Sequence, residues 1–464
     1  MVLEAAPRAA ESQGRPRRAR RGHVPAAWPL YALLYGYPLW WVLGMQAFIW
    51  PLLAVPMATW LLRRRSVRVP RATGLLLLFL AWVLLSALQL DNGRQLLAFG
   101  YRFALYSSAV ILLVFVTNLD RRQLPTHRLT QAVAFLWVVT VLGGFAGLAL
   151  PGLSFTTVTE VVLPDALARE PFIYSMVHPE LSSLSRLLGY DIARPKAPFN
   201  YTNEWGSNFA LLFPVAVYSI FVVRRRWWRA LVIGLMLLCI VPAVLSINRG
   251  LWLSLTVGLA YIAARGAQRG SIRLLAGIVA VAGAAVLAVL VSPLRQVVVD
   301  RAARPNLQGR FGLYDEALAS AFVSPVLGHG APIPSDEALG VEASVGTHGQ
   351  FWTLLVSQGI PGLVLFIAFL VTTLVLTYRV SREALWVHSV IVIALVQMAF
   401  YNLLPVQLHV VMIAIALCWR DVTHRATGAS DGGRERWRTV PTGRPGRHPR
   451  SSVHAVPAVK PLGT

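Results

Sequence analysis

The chain has 464 residues, of which 56% are hydrophobic and only 14% are charged. Soluble domains carry roughly 25% charged residues, so this composition excludes an ordinary soluble protein and indicates a polytopic membrane protein. The formal net charge of +23 does not indicate nucleic-acid binding, because the arginines form short clusters between apolar runs rather than one patch.

The apolar runs predict about twelve membrane-spanning helices, since one span needs about 20 apolar residues. The first run, residues 29–62, is long enough for two short spans divided near Gly44. The further predicted spans are residues 74–90, 96–117, 131–150, 205–223, 230–247, 251–264, 274–291, 351–376, 385–401 and 406–419. We therefore expect an all-α polytopic integral membrane protein.

Arginine clusters set the predicted orientation. They fall on alternate connections between the spans, which is typical of cytoplasmic loops, so both termini are predicted to be cytoplasmic. Residues 29–419 would form the membrane domain, while the basic tails 1–28 and 420–464 are predicted to be disordered. The basic N-terminus resembles a retained tail rather than a cleaved signal. The clusters comprise Arg63, Arg64, Arg65, Arg121, Arg122, Arg224, Arg225, Arg226, Arg229, Arg265, Arg269, Arg273, Arg379, Arg382 and Arg420.

Two connections on the opposite, extracytoplasmic side are long: residues 151–204 and 292–347. Long ordered loops are usually functional, so this side is the expected location of a binding site. The basic residues that the topology assigns to it are Arg94, Arg102, Arg186, Arg194, Lys196, Arg249, Arg295, Arg301, Arg304 and Arg310.

The second long loop carries its arginines first and its acids later. The planar guanidinium suits phosphate oxygens, so this first part could hold an anionic group. The alternative is that these arginines pair with the acids of the loop or with lipid phosphates. The arginines are Arg295, Arg301, Arg304 and Arg310, and the acids are Asp315, Glu316, Asp336, Glu337 and Glu342.

Arg249, in "LSINRGLWL", lies between two apolar runs with almost no loop. A charge at such a position is costly and suggests function, although an arginine that snorkels to the interface is the alternative. In "ARPKAPFNYTNEW", Arg194, Lys196 and Asn203 precede the next span as candidate binding residues, and the asparagines could equally be helix caps.

His348 closes the second loop at the start of a long apolar run. An imidazole there could accept a proton near neutral pH, or it could belong to a helix cap. His329, in "LGHGAP", is a reserve candidate. Because the sequence has no paired histidines at metal-ligand spacing, no nucleophile elbow and no phosphate-binding glycine loop, we predict neither a metal nor another cofactor.

Several of these stretches together resemble the O-antigen ligase and O-antigen polymerase superfamily. They are "PFNYTNEWGSNFALLFP", "SINRGLWLSLTVGLAY", "GRFGLYDEAL", "PVLGHGAP" and "THGQFWTLLVSQGIPGLVLFIAFL". Arg249, Arg310 and His348 match the two arginines and the histidine of the family pattern, and 359–362 match its Gly-hydrophobic-x-Gly turn. Gly349 and Gln358 depart from it, since the family often has asparagine and an acidic residue there.

The resemblance implies metal-independent glycosyl transfer on the extracytoplasmic face of the cytoplasmic membrane. The donor would be a glycan on a polyprenyl diphosphate, and the acceptor a hydroxyl of a glycan or glycolipid. Arg249 and Arg310 would bind the diphosphate, with Arg194, Lys196, Asn203, Arg301 and Arg304 as further binding residues, and His348 would contact the acceptor. Ligase and polymerase both remain open, and a secondary transporter of a small anion or a scaffold for envelope assembly are the alternatives from other classes.

Overall fold

The computed structural model describes residues 25–187, 190–291, 295, 308–333, 349–429 and 437–441. These residues are mostly helical, and two short antiparallel pairs of strands flank the helices. The first part of the chain forms the helices α1 (Trp28–Tyr35), α2 (Tyr37–Val42), α3 (Ile49–Leu62), α4 (Thr73–Ser86), α5 (Gly93–Asn118), α6 (Thr126–Ala149), α7 (Val158–Val162), α8 (Asp165–Ala168) and α9 (Pro171–Val177). The second part forms α10 (Thr202–Val222), α11 (Arg226–Leu238), α12 (Ile240–Leu245), α13 (Arg249–Gln268), α14 (Ile272–Val291), α15 (Gln308–Val323), α16 (Gln350–Leu376), α17 (Leu385–Gln397) and α18 (Val406–Ala429).

The strands are β1 (Ser66–Pro70), β2 (Ser182–Leu187), β3 (Tyr190–Pro195) and β4 (Trp437–Pro441). β2 and β3 pair antiparallel, with Ser183 opposite Arg194, while β1 pairs with β4 from the far end of the chain, with Val67 opposite Val440.

Each predicted span coincides with helical structure. Within the described residues, seven helices are long and apolar enough to cross a membrane: Gly93–Asn118, Thr126–Ala149, Thr202–Val222, Arg226–Leu245, Arg249–Gln268, Gln350–Leu376 and Val406–Ala426. The protein is therefore a multi-pass membrane protein, while twelve spans and their direction across the bilayer stay a prediction.

The break predicted near Gly44 is present between α2 and α3. Gly44 adopts φ +75°, a conformation in which a side chain would be strained, and a Cβ there would lie 3.0 Å from the carbonyl oxygen of Val177. The first long loop packs on this break, since the Thr157 hydroxyl donates to Val177 O at 2.7 Å and Thr159 N donates to Leu43 O at 3.2 Å.

The core of the bundle lies around α6, α10, α17 and α18. α18 is buried on all sides from Val406 to Arg420, as expected for a helix enclosed by other helices. Trp137 of α6 and Trp205 and Phe209 of α10 are fully or almost fully buried, and the Trp205 and Phe209 rings stack with centroids 5.2 Å apart.

Arginines from separate connections meet at one end of the bundle, here called the arginine-rich end and defined by Arg64, Arg121, Arg265, Arg269 and Arg420. Their guanidinium groups donate to backbone carbonyls of other helices and connections, and some of these carbonyls lie at helix C-termini. Arg64 donates to Asn118 O at 3.0 Å, Arg121 to Arg420 O at 3.2 Å and Arg269 to Val380 O at 2.8 Å. Such carbonyls carry partial negative charge, so these contacts stabilise the bundle. The alternating clusters thus share one end, as the sequence pattern predicts.

Candidate active site

At the opposite end, α12 and α13 are joined by a sharp elbow, residues 246–250. Ile247 has φ +53°, which is unusual for a β-branched side chain and persists only where surrounding contacts hold it. Asn248 is the N-cap of α13, accepting from Leu251 N at 3.4 Å. Arg249 is the first residue of α13, and its side chain is exposed. The elbow therefore presents a guanidinium at a helix N-terminus.

Asn248 connects the elbow to two other parts of the chain. Its amide nitrogen donates to Thr202 O, in the first turn of α10, at 3.3 Å. Its side-chain oxygen accepts from the hydroxyl of Tyr401, which belongs to the connector between α17 and α18, residues 398–405. Asn248 and Tyr401 are 5% and 4% exposed, so both polar groups depend on these partners.

Two glycines permit the close packing around the elbow. A Cβ on Gly206 of α10 would collide with the Asn248 amide. A Cβ on Gly250 would lie 2.5 Å from the Tyr401 hydroxyl oxygen and 2.6 Å from the Phe400 ring. Any larger residue at either position would displace the elbow.

The same connector holds the start of α16. Gln350 N donates to Tyr401 O at 2.8 Å, and the Gln350 side chain accepts from Leu403 N at 3.1 Å and donates to the Tyr106 hydroxyl at 2.8 Å. A Cβ on Gly349 would lie 2.9 Å from the carbonyl oxygens of Met398 and Ala399, which explains glycine at this departure from the family pattern. The N-termini of α13 and α16 are thus fixed to one short segment.

α15 packs against the first turns of α16. The rings of Tyr314 and Trp352 stack with centroids 4.6 Å apart, and Trp352 Nε1 donates to Ala399 O in the connector at 3.1 Å. Arg310 occupies the position one helical turn before Tyr314. The backbone of α15 therefore brings the Arg310 position to the region where α16 begins.

The binding residues predicted on the first long loop lie at the same end of the bundle. Arg194 of β3 donates from Nε to Ser246 O, in the elbow, at 2.9 Å. Lys196 pairs with Glu180 at 2.6 Å, an ion pair that the sequence did not indicate. Asn203 is exposed on the first turn of α10, beside Thr202, which contacts Asn248. The structure thus connects Arg194 directly to the elbow and places Asn203 next to Thr202, which contacts the elbow, whereas Lys196 already has a carboxylate partner.

α16 is interrupted at Gly359, which has φ +67° and ψ −174°. Residues 325–330 fill the interruption: His329 N donates to Val356 O and Gly330 N to Ser357 O, both at 2.9 Å, and Ile360 N donates to Pro325 O at 2.8 Å. The "PVLGHGAP" and "QGIPG" stretches are therefore packed backbone against backbone. His329, the reserve candidate, also has its Nε2 3.2 Å from Ser320 O, and both contacts are structural.

His348, Arg301 and Arg304 lie outside the described residues, and for Arg310 the structure describes the backbone alone. Among the residues that are described, no group of three or more His, Cys, Asp and Glu side chains could hold a metal ion.

Sequence reasoning missed the connector, although it fixes the elbow and the start of α16. The signal is "MAFYNLLP", in which Tyr401 and Asn402 interrupt two apolar runs. It also missed Asn248 as a link between helices and Gln350 as a buried bridge. In each case the residue type allows the contact, but only the fold supplies the partner.

The fold and this site define a multi-pass membrane protein with arginines gathered at one helix junction. Residues 234–367 match a family model described as O-antigen ligase. For residues 234–367, this match confirms the resemblance to the O-antigen ligase and polymerase superfamily seen in the sequence. The matched range extends from α11 into α16 and contains Arg249, Arg310 and His348. No curated protein sequence matches the chain.

Proposed function

We propose that the protein is a metal-independent glycosyltransferase of cell-envelope polysaccharide synthesis. It transfers a glycan from a polyprenyl-diphosphate donor to a hydroxyl of a glycan or glycolipid acceptor, outside the cytoplasmic membrane. The observation that carries the proposal is the connector, which holds together the helix start that bears Arg249 and the helix start that directly follows His348.

The leaving diphosphate needs stabilisation as the bond between the anomeric carbon and its phosphate oxygen breaks. Arg249 supplies a guanidinium at the N-terminus of α13, where free backbone N–H groups and the helix dipole also favour an anion. Arg310 supplies a second guanidinium from α15. Fixed donors of this kind typically contribute on the order of 10²–10³ in rate.

His348 is assigned to the acceptor hydroxyl. As the new bond forms between that oxygen and the anomeric carbon, the hydroxyl proton passes to the imidazole or to the departing diphosphate. Gly349, the residue that follows His348 in the sequence, is packed on the connector. Arg194, Lys196, Asn203, Arg301 and Arg304 are assigned to the binding of the donor.

An anion transporter is the second candidate, because interrupted helices near mid-membrane are typical of transporters. Gly359 is the tenth residue of α16, roughly 14 Å along the helix, so the interruption has the expected depth. However, the backbone groups released there bond to residues 325–330 and to Trp82, whose Nε1 donates to Gln358 O at 3.0 Å. The protein itself fills the interruption, and this favours the transferase.

Glycan transfer by purified protein in lipid tests the proposal, with a polyprenyl-diphosphate glycan as donor and both unextended glycan and lipid-anchored glycan as acceptors. Arg249→Ala, Arg310→Ala and His348→Ala should each lose about 100-fold or more in rate while remaining folded. Arg169→Ala is the matched control, since Arg169 lies in an outer loop with 82% of its side chain exposed.

Labelling of the lipid-anchored acceptor would indicate a ligase, and elongation of the donor glycan a polymerase. Activity that disappears with EDTA and returns with a divalent cation would contradict metal independence. Full activity of all three variants would exclude this site, and anion uptake by the same vesicles without glycan transfer would favour the transporter.

A further inference from the structure

Arg102, on α5, differs from the other described arginines of this end. It is the tenth residue of α5, roughly 14 Å along a helix long and apolar enough to cross a membrane. Its side chain is half-buried, and within the described part of the chain it makes no ion pair or hydrogen bond; its electrostatic neighbours are Tyr101 and Tyr106. By contrast, Arg94 on the same helix pairs with Glu170 at 2.7 Å.

A guanidinium carries five N–H donors, and holding it in an apolar helix without a carboxylate is costly. Ionisable residues inside membrane helices usually line a substrate route for this reason. The stability of the bundle therefore does not explain why an arginine occupies position 102.

The position of Arg102 indicates what it faces. Arg102 and Tyr106 are four residues apart and so share one face of α5. On that face the Tyr106 hydroxyl accepts from Gln350, in the first turn of α16. Arg102 is one turn, roughly 6 Å, nearer than Tyr106 to the N-terminal end of α5. That end lies at the site end of the bundle, since Asn118 at the other end accepts from Arg64 at the arginine-rich end.

We propose that Arg102 binds a phosphate oxygen of a lipid within the bilayer, beside the start of α16. The chemistry fits a guanidinium whose donors are unused, and the depth fits a lipid whose chain stays among the helices. That this lipid is the polyprenyl diphosphate rests on the proposed function. Arg102 would then bind the donor from α5, on the side of α16 that contacts Tyr106, while Arg249 approaches from the elbow.

Equilibrium binding to the full chain in nanodiscs of neutral lipid tests this, with geranylgeranyl diphosphate in one arm and phosphatidylglycerol in the other. Arg102→Gln should weaken binding about tenfold or more, since a hydrogen bond to a charged group is lost. Arg102→Lys should retain part of the affinity, because the charge remains but the planar fork is lost. Arg94→Gln is the matched control and should bind like the wild type.

A merely structural Arg102 predicts a different pattern. Its replacement by glutamine would then lower the midpoint of thermal unfolding and leave binding by the folded protein unchanged. On our proposal the midpoint of Arg102→Gln stays the same or rises, because an uncompensated charge has left the helix. If Arg102→Gln fails to fold, the affinities of Arg102→Lys for the two lipids still distinguish lipid binding from a structural role.

If Arg102→Gln weakens binding of geranylgeranyl diphosphate, the phosphate that Arg102 binds belongs to the substrate. If it weakens binding of phosphatidylglycerol instead, the phosphate belongs to a membrane lipid. Binding within twofold of the wild type in both arms would overturn the proposal. A wild-type protein that binds geranylgeranyl diphosphate through Arg102 but transfers no glycan would overturn the proposed function alone.

Discussion

The two ends of the helix bundle use arginine differently, although Arg194 at the site end also donates to a backbone carbonyl, that of Ser246. At the arginine-rich end, guanidinium groups bond to carbonyls of other helices, as Arg420 does to Val116 O at 3.2 Å and to Leu124 O at 2.5 Å. At the site end, Arg249 is exposed at a helix N-terminus and Arg102 has no bonded partner among the described residues. Arginines whose donors are used by the fold stabilise it, whereas Arg102, with no bonded partner among the described residues, is the one proposed to bind a ligand.

The backbone follows the same division. The site end contains the positive φ of Ile247 and the closely packed glycines of the elbow, and the interruption at Gly359, with residues 325–330 packed on it, lies roughly 14 Å along α16 from that end. Strained or closely packed backbone is maintained where surrounding contacts require one geometry, and such places are often functional. Substitutions at each end of the bundle test this comparison.

The largest expected effect is that of Gly328→Ala. Gly328 has φ +68°, and a Cβ would lie 2.5 Å from the carbonyl carbon of Ser357 and 2.6 Å from Gln358 N. Since neither backbone can move without opening α16, the free energy of unfolding should fall by about 3 kcal/mol or more. Yield of monodisperse protein and the thermal midpoint measure this. Gly277→Ala, with nothing within 4 Å, should be neutral or stabilising; equal behaviour of the two variants would contradict the packing described.

At the arginine-rich end, Arg420→Gln should destabilise the bundle by about 2 kcal/mol, because two carbonyls lose a charged donor. Binding of geranylgeranyl diphosphate by the folded protein should stay unchanged. Arg102→Gln should do the opposite, weakening lipid binding without lowering stability. The two variants together therefore measure the difference between the two ends. Arg122→Gln is the control, because Arg122 is exposed in the connection between α5 and α6, to which Arg420 bonds at Leu124 O. If folded Arg420→Gln lost lipid binding, the two ends would not differ in how they use arginine.

Within the site end, Asn248→Ala should lower glycan transfer about tenfold, since the elbow loses its links to Thr202 and Tyr401 and Arg249 is no longer fixed. Asn92→Ala removes another N-cap, which accepts from Gln95 N at 2.9 Å on α5. Loss of the cap should cost about 1 kcal/mol of stability in each variant. Asn248→Ala should cost more, because the buried Tyr401 hydroxyl also loses the Asn248 acceptor. Only the first should slow transfer, and parallel losses of activity would show that capping alone matters.

The smallest expected effect concerns Lys196, which was predicted to bind the donor but is paired with Glu180. The pair lies at the surface, with the Glu180 side chain 45% exposed and that of Lys196 14% exposed, so Glu180→Gln should change the free energy of unfolding by no more than about 1 kcal/mol. If Lys196 also contacts the donor, Lys196→Met should raise KM severalfold whereas Glu180→Gln should not. Steady-state kinetics of the two variants compares them directly, and identical KM values would assign Lys196 to the ion pair alone.

Much of the fold could be predicted because membrane helices are determined by local composition. Each apolar run became helical, a break is present near Gly44, and arginines from several of the clusters meet at one end. Arg249 was recognisable because a charge without a loop is unusual between apolar runs. Asn248, Gln350 and Tyr401 were not, since polar residues at helix ends are common and their importance depends on partners that are distant in sequence.

The sequence by itself determined the class of protein, the helical segments and the family, because hydrophobic length, charge alternation and short motifs are local properties. The tertiary structure decided which residues act together. Asn248 and Tyr401 are 153 positions apart, and Tyr106 and Gln350 are 244 apart. No pattern along the chain encodes such contacts, because they arise only when helices pack and each buried polar group must find a partner.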